Sequence, residues 1–323
     1  MLNYKNLFTD NGQTVRDKIQ LMNRHVVIQN SIPVFFFIKQ YNYYFHTMKT
    51  VKIIVYLLIA FTWSWVNWFT GLQYLSAGNN DKAIGHFVTF FFIGVYGPAI
   101  SSVITTLYFD GLKGLVGLLK RLLVWKAPAK VYLAIILLPV FILASAIGLY
   151  YLFVGQIGRV DFTAIFAVPG LLLVALLAGP LGEELGWRGL LLPELQKKYS
   201  AVVSSLIVGI IWYCWHIPLF FAPFGTLVSG APLTFFPLLV YLVFVICLAL
   251  INTWLFNNSK SSVLITILMH LSVNAGLLLL FFPALKDNYK LLYLLATPAL
   301  LLFTVWLGWK TAFKNKNAAP ISG

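Results

Sequence analysis

Charged side chains are scarce in this chain of 323 residues, of which only 10% are Asp, Glu, Lys or Arg. A soluble globular protein carries roughly 25% of these residues, so this chain has too few charges to cover a water-facing surface. Hydrophobic residues make up 60% of the sequence and aromatic residues 16%, and aromatic rings collect at the two interfaces of a membrane. The composition therefore excludes an ordinary soluble fold and predicts a polytopic integral membrane protein.

Cysteine and acidic residues are also rare. The two cysteines, Cys214 and Cys247, both lie inside apolar runs, and such a pair cannot build a disulfide framework or a CxxC metal site. The 9 acidic residues face 23 Lys and Arg, which leaves a net charge of +14. Because the basic residues lie between apolar runs, membrane topology and anionic lipid headgroups account for them. We therefore expect the lipid bilayer as a partner, and no nucleic acid.

Long apolar runs predict an all-α fold that crosses the membrane about eight times. A transmembrane helix needs about 20 mostly apolar residues, and we assign eight candidate spans: 53–70, 87–109, 131–154, 163–182, 201–222, 232–256, 262–282 and 291–309. With a cytoplasmic N-terminus, the inner connections carry more Lys and Arg than the outer ones. The positive-inside rule then places both termini in the cytoplasm, and we expect the membrane to be a bacterial cell membrane.

The segments between and around these spans divide the chain further. We interpret residues 1–47 as a polar and basic N-terminal extension that we expect to be poorly ordered, 48–313 as the membrane-embedded helical domain, and 314–323 as a C-terminal tail. In 110–126, leucines share one helical face and Lys and Arg another. This pattern predicts an amphipathic helix on the inner membrane surface, and a cytoplasmic segment packed on the helical bundle is the alternative.

Two of the three glutamates in the sequence, Glu183 and Glu184, are adjacent and lie inside an apolar stretch. A carboxylate inside a membrane is costly, so such a residue indicates a functional site by default. Arg188 follows Glu184 by four residues, which places both on one helical face where they can pair. Glu183 points about 100° away from Glu184 on a helix and needs another partner.

Two histidines lie deep in apolar spans. His216 follows Trp212 by four residues in the fifth span, and Asn274 follows His270 by four residues in the seventh. His270 and Asn274 therefore project from one helical face. The depths of these residues along their spans are compatible with a single cluster that includes Glu183, so three helices would bring a carboxylate, two imidazoles and an amide into one buried pocket.

This set of side chains matches a hydrolytic site. A carboxylate removed from bulk water can act as a general base, and a neighbouring His can hold the same water and pass a proton. A second His and an Asn can donate hydrogen bonds to a developing oxyanion. A zinc site is the alternative, because Glu183, His216 and His270 would make a plausible ligand set.

Three motifs in order resemble one known family. They are Glu183-Glu184-x-x-x-Arg188, the aromatic-x-x-x-His from Trp212 to His216, and His270-x-x-x-Asn274. Together they resemble the CAAX protease and bacteriocin-processing (CPBP, or ABI) family, which contains the type II CAAX prenyl endopeptidases. The resemblance covers about 165–285. This sequence departs from the family pattern at Trp212, where the family usually has Phe, and we interpret the difference as a change in packing.

The resemblance implies an eight-helix intramembrane protease that cuts membrane-anchored or amphipathic peptides near their C-termini. It implies that Glu183 and His216 activate water, and that His270 and Asn274 form the oxyanion site. Glu184 and Arg188 would be accessory, and no metal cofactor would be needed. Two other functions stay open from the residues: a transporter with an intramembrane carboxylate, and a non-catalytic membrane scaffold of the same fold.

Overall fold

The computed structural model describes residues 31–78, 80–154, 168–226, 229, 233–281, 297–298 and 300–305. Within these residues the regular secondary structure is helical, with no strand, so the all-α prediction is confirmed for this part of the chain. The chain divides into two units, Met1–Val51 and Lys52–Gly323, and the contacts discussed below lie within the second. Residues 1–30 of the predicted extension and the predicted tail 314–323 lie outside the described residues.

The helices are numbered in chain order: α1 Ser31–Ala77, α2 Asp81–Val95, α3 Gly97–Lys120, α4 Ala129–Val154, α5 Val168–Leu177, α6 Pro180–Gly186, α7 Leu192–Gln196, α8 Ala201–Trp215, α9 Phe235–Asn258 and α10 Val263–Phe281. A π-helical segment, Trp187–Leu191, joins α6 to α7. Short 3-10 turns follow α3 at Arg121–Leu123 and α8 at Ile217–Phe221.

Three helical segments of the described residues are long and apolar enough to cross a membrane: Thr50–Ala77, Asp81–Leu123 and Phe235–Asn258. Three shorter apolar helices are Ala129–Ile142, Ala201–Trp215 and Val263–Ala275. The protein is therefore an integral membrane protein, but the structure does not confirm eight spans. The predicted span 291–309 lies mostly outside the described residues. The eight-span count, the orientation of the termini and the bacterial membrane stay predictions.

The second predicted span, 87–109, is part of a longer helical run with two breaks. The first break is at Tyr96, between α2 and α3. The second is at Gly111, whose φ of 67° lies in the left-handed region that glycine adopts at little cost. The chain therefore changes direction at the beginning of the amphipathic segment.

The amphipathic segment is helical up to Lys120 and ends in the 3-10 turn. Leu118 is buried against the bundle, whereas Leu112 and Leu123 are 72% and 76% exposed. The Nη1 atom of Arg121 donates a hydrogen bond of 2.7 Å to the backbone oxygen of Gly189. The segment therefore packs on the bundle along one edge and presents leucines outward along the other. Its contact with a membrane surface stays a prediction.

The fourth predicted span, 163–182, is not one continuous helix. Within its described part, α5 ends at Leu177, a turn covers Ala178 and Gly179, and α6 begins at Pro180. Proline suits the first turn of a helix, where its missing N–H has no intrahelical partner, but it interrupts a helix that arrives from the N-terminal side. The break places Glu183 in the first turn of α6 rather than in the middle of a span.

The fifth predicted span, 201–222, was also too long as a helix. Helix α8 ends at Trp215, and His216 is its C-terminal capping residue. The 3-10 turn Ile217–Phe221 follows α8, and Pro218 lies at the beginning of this turn. His216 is therefore held at a helix end, although it remains buried.

Two packing features hold α6 in place. A Cβ atom added at Gly182 would lie 2.7 Å from the backbone oxygen of Val95, and one added at Gly186 would lie 2.5 Å from that of Pro98. The backbone of α6 therefore contacts the end of α2 and the start of α3, a close approach that small residues allow between membrane helices. Buried aromatic rings fix the neighbouring segment: the centroid of Trp215 lies 5.7 Å from that of Trp187 and 4.5 Å from that of Trp68. The side chains of Glu183 and Glu184 consequently point toward α8 and α10.

Candidate active site

Glu183 and Glu184 are both buried, at 3% and 0% exposure, and they face different partners. Trp212 of α8 donates a hydrogen bond from its indole Nε1 to Oε2 of Glu183. Glu184 receives a hydrogen bond of 2.8 Å from Nη1 of Arg188 at its Oε1 atom. The structure thus confirms the local Glu184–Arg188 pair and the divergence of the two glutamates, both of which follow from helical spacing.

His270 is the second partner of Glu184. Its Nδ1 atom lies 2.9 Å from Oε1 of Glu184, the same oxygen that binds Arg188. A carboxylate can only accept hydrogen bonds, so Nδ1 of His270 carries the proton in this contact. The pair orients the imidazole, and the other ring nitrogen, Nε2, is available for chemistry.

Gly179 marks the point where three of the predicted site residues meet. A Cβ atom added at Gly179 would lie 3.0 Å from Oε1 of Glu183, 3.5 Å from Nδ2 of Asn274 and 3.7 Å from Nε2 of His270. These three polar atoms therefore border one small space beside the Gly179 backbone, and any side chain at residue 179 would fill it. The turn that interrupts the fourth predicted span supplies this residue.

His216 joins the cluster through Trp212. Its Nδ1 atom lies 2.8 Å from the backbone oxygen of Trp212, an acceptor, so Nδ1 is the protonated nitrogen and Nε2 is left as an acceptor. The His216 and Trp212 ring centroids are 6.0 Å apart. Within the described residues no hydrogen bond joins His216 directly to Glu183.

Trp212 contacts Glu183, Arg188 and His270, a role that the sequence did not predict. Besides the bond to Glu183, its ring lies beneath the Arg188 guanidinium, with 4.8 Å from Cζ to the ring centroid. His270 meets it edge-on at a centroid distance of 5.3 Å. The signal in the sequence was the residue type at 212, because Trp has an N–H donor that Phe, the usual residue of the family, lacks.

Four buried polar atoms beside this cluster have no hydrogen-bond partner in the described part of the chain: Glu184 Oε2, Arg188 Nε and Nη2, and the hydroxyl of Tyr56. Buried polar groups are usually hydrogen-bonded, so these four atoms are exceptions to that rule. Tyr56 belongs to α1 and its hydroxyl lies 2.5 Å from the Cβ position of Gly186. An isolated Tyr in an apolar span gave no signal in the sequence.

The alternative zinc ligands from the sequence are Glu183, His216 and His270. Among the described residues, no three His, Cys, Asp or Glu side chains are grouped closely enough to hold a metal ion. Glu184 is already engaged by Arg188 and His270 through one oxygen. A metal-free reaction stays a prediction, and the reaction proposed below contains no metal step.

A membrane-embedded helical protein that gathers a carboxylate, an imidazole and an amide around one buried space belongs, as a class, with the intramembrane hydrolases. Comparison with known proteins identifies the family. Residues 165–276 match the family model described as type II CAAX prenyl endopeptidase Rce1-like. The CAAX prenyl protease 2 of Methanococcus maripaludis is 30% identical over 232 residues, which cover 68% of this chain and 82% of that relative.

The chain therefore belongs to the Rce1-like family of CAAX proteases, and it is an integral membrane protease. This confirms the resemblance drawn from the three motifs, and the matched residues cover nearly the same part of the chain as that resemblance. All six site residues from Glu183 to Asn274 lie within the matched range.

Proposed function

We propose that this protease cuts membrane-anchored peptides near their C-termini and that the space beside Gly179 is where the scissile carbonyl and the attacking water meet. The observation that carries the proposal is the convergence of Glu183 Oε1, His270 Nε2 and Asn274 Nδ2 on the Cβ position of Gly179. A base and two donors around one space are the groups that amide hydrolysis requires. The name of the relative in Methanococcus maripaludis supports a prenylated CAAX-like substrate, and a bacteriocin-like peptide is the alternative.

The reaction begins with activation of water by Glu183. Oε1 of Glu183 accepts a proton from the water, while the oxygen of the water forms a bond to the carbonyl carbon of the peptide. Nε2 of His216 is an acceptor, because Nδ1 donates to the backbone oxygen of Trp212, so His216 can hold the second hydrogen of the water. The carbonyl π electrons move to its oxygen, which becomes an oxyanion.

His270 and Asn274 stabilise the oxyanion. Asn274 donates from Nδ2, and His270 donates from Nε2 when both of its nitrogens are protonated. The Glu184 carboxylate, 2.9 Å from Nδ1, stabilises that positive imidazolium. When the tetrahedral intermediate collapses, the C–N bond breaks, and the proton held by Glu183 passes to the leaving nitrogen. The products are a carboxylic acid and an amine, and Glu183 regains its ionised form.

The test is cleavage of peptides by the full-length protein in liposomes, with products identified by mass spectrometry. The substrates are paired peptides of one sequence with and without a C-terminal prenylated Cys. Glu183→Gln keeps size and hydrogen bonding but removes the base, so kcat should fall by about 10²- to 10⁴-fold. Glu194→Gln is the matched control, because it makes the same chemical change in a buried glutamate outside the site.

The outcomes separate the competing functions. Cleavage that is lost in Glu183→Gln and retained per folded molecule in Glu194→Gln supports the proposal. Equal cleavage by wild type and Glu183→Gln contradicts it. If wild type is inactive on every peptide, the chain is a non-catalytic member of the family for these substrates. Metal analysis of the same samples tests whether the reaction needs a metal. Cleavage by metal-free protein in the presence of chelator supports a metal-free reaction. Loss of cleavage with chelator that added zinc restores contradicts it.

A further inference from the structure

The indole N–H of Trp212 occupies one oxygen of the Glu183 carboxylate and leaves the other one facing the reaction space. Nε1 of Trp212 donates to Oε2, whereas Oε1 is the atom 3.0 Å from the Cβ position of Gly179. The carboxylate at the end of a flexible Glu side chain can otherwise exchange its oxygens and move. The hydrogen bond therefore determines which oxygen of Glu183 points at the water.

The environment of Trp212 makes this donor strong and rigid. The ring is 3% exposed. The guanidinium of Arg188 lies over its face at 4.8 Å from Cζ to the ring centroid, and a cation over the face draws electron density from the ring and makes its N–H more positive. His270 contacts the ring edge-on at 5.3 Å. A hydrogen bond from a buried donor to an ionised acceptor is stronger than a neutral one.

We propose that Trp212 is a positioning residue for Glu183, which holds Oε1 of the base toward the water and favours the ionised carboxylate. The inference rests on the proposed function of Glu183 as the base. Trp212 touches neither the water nor the peptide in this scheme. The positioning effect comes from its hydrogen bond to Glu183, which a Phe side chain at residue 212 could not make.

This role predicts a particular kinetic signature. Loss of the N–H leaves the Glu183 charge less stabilised and its oxygens free to exchange. In Trp212→Phe, kcat on the cleaved peptide should fall about tenfold, with the acidic limb of the kcat–pH profile displaced to higher pH by about one unit, the displacement that corresponds to a tenfold change. KM should stay within a factor of about two, because Trp212 does not bind the peptide.

A matched control removes an indole N–H that has no partner. Nε1 of Trp254, in α9, is buried without a hydrogen-bond partner in the described part of the chain. Trp254→Phe therefore makes the same substitution in a buried ring outside the site. Its kcat and its pH profile should match wild type. Size-exclusion profile and thermal unfolding in detergent show that both variants are folded before rates are compared.

Replacement of Trp212 by benzothienylalanine separates the N–H from the shape of the ring, since sulfur takes the place of the N–H group. A displaced acidic limb in both Trp212 variants supports the proposal. An unchanged limb in the benzothienylalanine protein overturns it, even if Trp212→Phe is slow, because shape alone then explains the loss. If Glu183→Gln cleaves as well as wild type, the proposed function fails first. If Glu183→Gln is inactive and both Trp212 variants behave as wild type, only the positioning role fails.

Discussion

Two buried acidic clusters lie along the helical run from α6 to α7, and their charges are paired differently. In the Glu194 cluster, Oε1 binds Nζ of Lys52 at 2.7 Å and Oε2 binds Nζ of Lys197 at 2.6 Å. Lys52 also binds Asp110, so two acids and two cations neutralise one another. In the active-site cluster, one oxygen of Glu184 contacts both Arg188 and His270. In the described part of the chain, Glu183 accepts its hydrogen bond from the neutral N–H of Trp212.

The difference separates a structural ion network from a reactive site. A carboxylate with a cation on each oxygen has little capacity to accept a proton. Burial disfavours the charge of Glu194, but the hydrogen bonds and charges of Lys197 and Lys52 outweigh this effect and hold the pKa of its carboxyl below the ordinary value. Glu183 has no cation bound to it by a hydrogen bond in the described residues, so one of its oxygens remains a proton acceptor.

The largest effect should come from filling the space at the active-site cluster. Gly179→Ala places a methyl group 3.0 Å from Oε1 of Glu183, where the water must lie. We expect kcat to fall by about 10²-fold, as for small misplacements of reacting groups. Gly170→Ala in α5 is the control, because a Cβ there meets no atom within 4 Å. Peptide cleavage with normal rates in Gly179→Ala would show that the reaction takes place elsewhere.

A second prediction concerns stability rather than rate. Glu194→Gln removes the charge that joins α1 to α7 through Lys52 and should lower the free energy of unfolding by about 2 kcal/mol, the range for hydrogen bonds to charged groups. Thermal unfolding in detergent measures the change. Glu183→Gln should unfold at or near the wild-type temperature, because its carboxylate is bound by no cation. Equal destabilisation by both substitutions would remove the distinction between the clusters.

The Glu194 cluster also predicts how stability depends on pH. Because the pKa of Glu194 is lower in the folded protein than in the unfolded chain, the stabilisation is fully present above the ordinary Glu pKa. It is lost as the pH falls through the lowered folded value. Wild type should therefore lose more stability on acidification than Glu194→Gln does. Parallel acid-unfolding curves for the two proteins would contradict the assignment.

The smallest effect should come from the exposed member of the network. The side chain of Lys197 is 47% exposed, and exposed ion pairs contribute about 0.2–1 kcal/mol. Lys197→Ala should lower the unfolding temperature slightly, and added salt should reduce its difference from wild type. Lys198→Ala, also at an exposed residue, is the comparison. A loss as large as that of Glu194→Gln would show that Lys197, rather than Lys52, balances the buried charge.

Local spacing predicted part of the active site well. Glu184 and Arg188 are four residues apart and pair at 2.8 Å, because residues at this spacing are neighbours on any helix. Three of the site residues, Glu183, His270 and Asn274, were predicted to meet and do border one space. The lengths of helical elements were predicted less well, since a hydropathy window detects apolar runs but not the turn at Gly179 or the end of α8 at Trp215.

Contacts between distant helices could not be predicted in this way. Glu184 and His270 are 86 residues apart, and Glu183 and Trp212 are 29 apart. Which nitrogen faces which oxygen depends on how α6, α8 and α10 rotate against each other. The position of α6 is constrained by the close packing of Gly182 and Gly186 against Val95 and Pro98, which also lie far away in the sequence. Trp212 was interpreted as packing for this reason: its sequence context shows an aromatic residue one turn before a His, not the acceptor for its N–H.

By itself, the sequence determined that the protein is helical, lies in a membrane and carries a small set of buried ionisable residues, because composition and i, i+4 spacing are local properties of the chain. Only the tertiary structure decided how those residues are paired between helices: Glu194 with Lys52, Glu184 with His270, and Glu183 with Trp212. The physical reason is that a buried carboxylate takes its properties from the atoms within about 3 Å of it, and in each of these three pairs the partner atom comes from another helix.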